Sequence, residues 1–172
     1  MPIIPDEKDW TWVTSKPCPE CGFDPSTVTP ATVPGSVLNM LPRWRAVLRR
    51  GDAMVRPDDH TWSAVEYACH VRDVFSLFSH RLDLMLTQDG AAFDNWDQDQ
   101  AALDGDYASA DPAQVSDELV SEGEQAAEAF ARVTQDEWQR TGTRSNGSVF
   151  TVLTFSQYFL HDVVHHLHDV DG

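Results

Sequence analysis

The segment His161-Asp162-Val163-Val164-His165-His166-Leu167-His168 holds four of the chain's seven histidines. On a helix, residues four apart stack one turn above each other, with Cβ atoms about 6 Å apart. His161 and His165 can therefore reach one metal ion from a single face, the reason H-x-x-x-H on a helix is a metal motif. His168 is also near that face, whereas His166 points away from it. Two ligands leave an ion under-coordinated, so a third is expected from a neighbouring helix. His70 is the best candidate, since it sits inside the otherwise apolar run from Ala64 to Phe78. A histidine in such a run is more often a hydrogen-bonded core residue, so its role depends on the company it keeps. Three neutral imidazoles around one ion leave positions open for water or substrate, the catalytic pattern. Zinc is the expected metal, and nitrogen donors also suit nickel, iron or manganese.

A second group of donors lies near the N-terminus. Cys18-Pro19-Glu20-Cys21-Gly22 resembles half of a zinc knuckle, with glycine allowing a tight turn. A closed structural site needs four ligands. Histidines or a second chain could complete it, or it could stay incomplete; a redox pair is a further option. Cys69 lies beside His70 and is expected to pack as a small apolar residue.

Other residues are candidates for supporting roles. Asp73, Gln157 and Asp169 could fix the imidazole tautomers of the ligands. If the nucleophile is a metal-activated water, Asp162 or His168 would have to serve as general base. The polar stretch around Asp94, Trp96, Asp97 and Asp99 could form the rim of a cleft and contact the polar groups of a cofactor; the bland reading of it is a solvated loop.

These residues need helices to position them. Helical periodicity predicts a first helix from about Pro34 to Arg50, with Pro42 as a source of a kink or late start. Ser63 and Glu66 form a capping box that opens a second helix running to about Thr87. Asp111-Pro112 opens a third. A fourth runs from about Phe150 to Asp169 with an apolar stripe of its own, so the histidine cluster is part of the fold. Residues 88–110 read as a long polar connection and 136–148 as a turn region around Asn146-Gly147. The expected fold class is all-α, with a four-helix bundle over 34–172 and an irregular extension over 1–33 whose tryptophans, Trp10 and Trp12, pack on the main body.

Composition bounds the function. The formal charge of -16 repels phosphate backbones, so nucleic-acid binding is not expected. No signal segment or membrane span is read in the sequence, and three cysteines suit a reducing cytoplasm.

The segments Thr61-Trp62-Ser63-Ala64-Val65-Glu66-Tyr67-Ala68-Cys69-His70-Val71-Arg72-Asp73 and Tyr158-Phe159-Leu160-His161-Asp162-Val163-Val164-His165-His166 resemble the second and fourth helices of the DinB family of metal-binding four-helix bundles. That superfamily takes in mycothiol- and bacillithiol-dependent transferases and the N-terminal domain of mycothiol-dependent maleylpyruvate isomerase. The resemblance covers roughly residues 34–170. It implies an up-down-down-up bundle, often a dimer, with one histidine on the second helix and an H-x-x-x-H pair on the fourth. Carried over, these are His70, His161 and His165. A register through His166 would instead put Asp162 at the first position of the pair; the all-histidine register is the one expected. The resemblance further implies a zinc or nickel ion at the bottom of a cleft, and transfer or isomerisation of a small-molecule substrate through a metal-bound low-molecular-weight thiol. The alternatives are a metal-dependent hydrolase and a non-catalytic metal-binding stress protein.

Overall fold

The computed structural model describes residues 3 and 8–172. Four long helices form the bundle: α1 (Val33–Leu48), α2 (Ala64–Thr87), α4 (Pro112–Ala131) and α5 (Val152–Asp169). A short helix, α3 (Gln98–Asp104), lies between α2 and α4. α4 packs along both α1 and α2, and α5 closes the opposite side against the same two helices. The core between them is aromatic: Phe130 and Phe159 stack at 5.4 Å between centroids, and Phe78 stacks on Phe155 at 4.7 Å. Gly123 lets α4 approach closely, because a Cβ there would overlap Leu41 and lie 3.1 Å from Phe75.

Local chemistry explains where the helices begin. Ser63 accepts from the backbone N–H of Glu66, while Glu66 Oε2 accepts from the backbone N–H of Ser63 at 2.8 Å. These bonds satisfy amide groups that the first turn leaves without partners. Arg56 grips both oxygens of the same carboxylate, which is 3% exposed. Asp111 caps α4 ahead of Pro112, and Thr151 with Thr154 caps α5. Pro42 sits within α1 without ending it. Its side chain is exposed, so the carbonyl it leaves unbonded can reach water.

Two stretches expected to be irregular carry a small sheet. β1 (Ala91–Phe93) pairs parallel with β2 (Thr141–Arg144), and β2 pairs antiparallel with β3 (Val149–Thr151) around the Asn146-Gly147 turn. Gly147 has φ +93°, a conformation that glycine adopts without strain. The strands are three or four residues long, and β1 meets β2 across some fifty residues of sequence, so no local alternation announces them. The sheet has two positional consequences. β3 leads directly into α5, and β1 delivers the following Trp96 to the side of α2. Ser145 secures that turn, its hydroxyl accepting from the Asn95 amide at 2.8 Å.

The N-terminal segment is part of the packed body. A 3-10 turn at Thr11–Thr14 lies on α5, and Val13, Cys18, Phe23 and Val28 are buried. Gln157 on α5 donates to the Pro25 carbonyl at 3.1 Å. At the far end of α5, the Arg50 guanidinium donates to the carbonyls of Val170 and Asp171, both at 2.6 Å. No helix among the described residues is long and apolar enough to cross a membrane.

Candidate metal centre

Successive residues on an α-helix are about 100° apart around its axis. α5 therefore presents His161 and His165 along one edge and Asp162 and His166 along the next. The first edge faces the N-terminal segment; the second faces α2. Donor atoms lying within 4.8 Å of one another consequently fall into two groups among the described residues: His70 with Asp162 and His166, and Cys18 and Cys21 with His161 and His165.

This corrects the expected three-histidine centre. His70, His161 and His165 are not brought into one cluster. The one-residue step that separates the two registers is a rotation large enough to send each pair to a different neighbour. The register through His166, with Asp162 at the first position, is the one that meets His70. The doubled His165-His166 was the signal in the sequence that two registers exist.

In the first group, Asp162 Oδ1 lies 3.3 Å from His70 Nε2 and 3.7 Å from His166 Nε2. His70 is 1% exposed. The rings of His70 and His166 meet edge to face at 4.7 Å. Trp96 covers the His70 ring in a stack at 5.3 Å and 20°, and Trp62 flanks it at 5.7 Å. Tyr67 lies 5.1 Å from the His166 ring. Half-buried Tyr67, Trp96 and His166 are thus the rim of the site. Behind His166, Asp169 Oδ2 accepts from Nδ1 at 3.0 Å, which turns the Nε2 lone pair inward.

Burial lowers the His70 pKa, although Asp162 opposes the shift. Burial alone would raise the Asp162 carboxyl, but the facing histidines His70 and His166 hold it below the usual carboxylate range. A neutral imidazole beside an ionised carboxylate is the state that a cation selects. Polar satisfaction supports the fit. Asp162 Oδ1 and both nitrogens of His70 are buried with no hydrogen-bond partner of proper geometry. Leaving such groups unsatisfied costs about 1–3 kcal/mol each. Two imidazoles and one carboxylate are a donor set that suits zinc and other first-row divalent ions while leaving coordination positions open.

The second group is equally compact. Cys18 Sγ lies 3.8 Å from His165 Nδ1, and the His161 and His165 rings are 5.0 Å apart. Trp10 packs on both rings, at 5.3 and 5.0 Å, and Phe23 meets His161 edge-on. Burial, reinforced by His165, pushes His161 down to about 4. Burial raises the Cys21 thiol to about 11.

The remaining candidates take other places. Asp73 binds Arg72 at 2.8 Å and the Tyr107 hydroxyl, buttressing α2 one turn beyond His70. Gln157 donates to the Pro25 carbonyl, and its Oε1 is buried without a hydrogen-bond partner. His168 is exposed, 6.3 Å from the His165 ring, and belongs to neither group. The Asp94 carbonyl accepts from Arg81 at 2.6 Å, and Asp97 caps α3 through the amides of Asp99 and Gln100. Of that loop, Trp96 touches the centre through its stack on His70. Asp99 instead lines a cavity of about 220 Å³ together with Arg56, Trp62, Glu66, Leu103 and Asp106. Trp62 joins this cavity to the centre, since its ring also flanks His70.

Comparison with known proteins agrees with this architecture. The family model of the DinB superfamily matches residues 36–170. Among solved structures, the fold is similar to that of YfiT from Bacillus subtilis, described as a probable metal-dependent hydrolase with an unusual four-helix bundle topology. The TM-score is 0.72 at 14% sequence identity, covering 84% of this chain and 89% of that one. No curated protein matches the sequence. The match over most of its length, together with the four-helix bundle, establishes that the chain belongs to the DinB superfamily.

Proposed function

We propose that this chain is a metal-dependent enzyme acting on a small molecule, with its ion held by His70, Asp162 and His166, and that its reaction is hydrolysis. The observation that carries the reading is the convergence of the three side chains from two helices, with Asp162 Oδ1 and His70 Nε2 buried 3.3 Å apart and without a hydrogen bond of proper geometry. A divalent ion held there would supply a Lewis acid, which would lower the pKa of a water or thiol nucleophile. Hydrolysis is also the activity ascribed to the structurally similar YfiT.

The chain's own groups have definite tasks. His166 keeps its proton on Nδ1, toward Asp169, and offers Nε2 to the ion. Trp96 stacks on His70, holding the ring and excluding water from that side. Asp162 would offset one of the two positive charges of a divalent ion, which would leave the centre net positive and suited to an electron-rich substrate. The cavity behind Trp62, with Arg56 and Glu66 in its wall, is the place for the rest of the substrate.

Thiol conjugation is the second reading. It would use the same open position, and it is the chemistry implied by the transferases of the superfamily. One experiment separates the two. The zinc- or nickel-loaded protein is assayed against a panel of activated esters and amides, and against monochlorobimane with a low-molecular-weight thiol. Turnover of an ester or amide without thiol, lost in His166→Ala, is the expected result. Conjugation that requires the thiol would favour transfer instead. Failure of every substrate with metal tightly bound would leave a metal-binding protein without catalysis.

A further inference from the structure

We infer that Cys18, Cys21, His161 and His165 form a second, closed metal site, a structural zinc that fastens the N-terminal segment to α5. Nothing in the proposed reaction uses these residues, and three observations carry the inference independently of it.

The first is spacing. C-x-x-C followed by H-x-x-x-H is the ligand pattern of structural zinc sites, in which four sulfur and nitrogen donors fill a tetrahedron. The second is geometry. One donor atom from each of the four lies within 4.8 Å of the others. Cys18 and Cys21 come from a tight turn in which the Gly22 amide donates to the Cys18 carbonyl at 3.0 Å and the Cys18 amide donates to the Phe23 carbonyl at 2.8 Å. Gly22 has φ +75°, where a side chain would be strained. The turn directs both sulfurs toward one turn of α5.

The third is an account of the polar atoms. Both cysteines are free, Cys18 is 1% exposed and His161 is 4% exposed. His161 Nε2 is buried with no hydrogen-bond partner. His165 points Nδ1 at Cys18, while its Nε2 has carboxylates of Asp169 and Glu20 at 3.7 and 3.5 Å. That arrangement leaves a lone pair for a metal on one nitrogen and an acidic partner for the proton on the other. On binding Zn²⁺ the two thiols release two protons, and the thiolate charges cancel that of the ion. The neutral product can be buried under Trp10 and Phe23 without an uncompensated charge. With four protein donors there is no open position, so the role is to hold structure.

What the site would hold is specific. It locks residues 10–28 onto the edge of α5 adjacent to Asp162 and His166, and so fixes the rotation of α5 about its axis. Asp169 connects the two centres, with Oδ1 near His165 and Oδ2 bonded to His166.

The test uses the full chain purified without a histidine tag. Cobalt is added to the metal-free protein and the absorption spectrum is recorded for wild type, Cys18→Ser, Cys21→Ser and His70→Ala. The expected result is a thiolate-to-cobalt charge-transfer band in wild type and His70→Ala that is reduced in Cys21→Ser and in Cys18→Ser. Because a cysteine variant can misfold, thiol alkylation of the wild-type protein is measured by mass spectrometry with zinc and after chelation. Zinc should protect Cys18 and Cys21 together, and chelation should expose both. A cobalt spectrum without thiolate character, alkylation of Cys21 unaffected by zinc, or isolation of a Cys18–Cys21 disulfide from reducing conditions would overturn the inference.

Discussion

His165 and His166 are neighbours in sequence, yet their rings stand at 83° with centroids 6.1 Å apart and serve different donor groups. His165 turns to the cysteine-bearing segment and His166 turns to α2. Asp169, one turn further along α5, contacts both. A single helix thereby contributes to two donor groups at once, and anything that rotates it changes both.

Metal content should separate the two histidines. His166→Ala should lose the ion of the His70 group and keep that of the cysteine group, and His165→Ala should do the reverse. Elemental analysis of each variant measures this. Loss of all metal from both variants, with helical content unchanged, would show one shared site.

Asp169→Asn keeps the size of the side chain but removes its negative charge. Outer partners of ligating histidines are typically worth about 10–100-fold in metal affinity. The substitution should weaken binding at the His70 group by that order, as read by competition with a chromophoric chelator. An unchanged affinity would mean that Asp169 does not set the His166 tautomer.

Glu66 links the start of α2 to Arg56. Burial alone would raise its carboxyl, but the Arg56 guanidinium and the Ser63 amide and hydroxyl hold it below its ordinary value of 4.5. A depressed folded-state pKa contributes stability that is present above 4.5 and lost as the pH falls through the lower folded value. Glu66→Gln should therefore destabilise the protein near neutrality by about 1–3 kcal/mol, the cost of an unsatisfied partner. Its stability should also fall less steeply in acid, so that the two curves draw together below pH 4.5. Denaturant titrations across pH measure both effects.

Gly123→Val tests the close approach of α4 to α1 and α2. The added side chain has no space beside Leu41 and Phe75. Overpacking a filled core costs about 1–3 kcal/mol. The melting temperature should fall accordingly, and a variant as stable as wild type would show that α1 can yield.

Much of the fold was legible from local signals. The caps at Ser63 and Asp111 and the apolar periodicity of the four long helices are properties of short stretches, and the helices begin within a residue or two of where those signals stand. The histidine-rich edge of α5 was equally visible as a place where metal chemistry could occur. The sheet was not, because its strands are too short to show alternation and β1 gains its hydrogen bonds from a strand some fifty residues away.

The grouping of the candidate donors was decided only by tertiary structure. Sequence spacing says that residues four apart share an edge of a helix, and it says so for His161 and His165 as well as for Asp162 and His166. It does not say which edge meets α2. That depends on how far α5 is rotated when its apolar stripe, Phe155, Phe159, Val163 and Leu167, is buried in the core. Burial of that stripe turns Asp162 and His166 toward His70 and leaves His161 and His165 to the cysteines, because the hydrophobic contacts that set the rotation involve residues from every helix of the bundle.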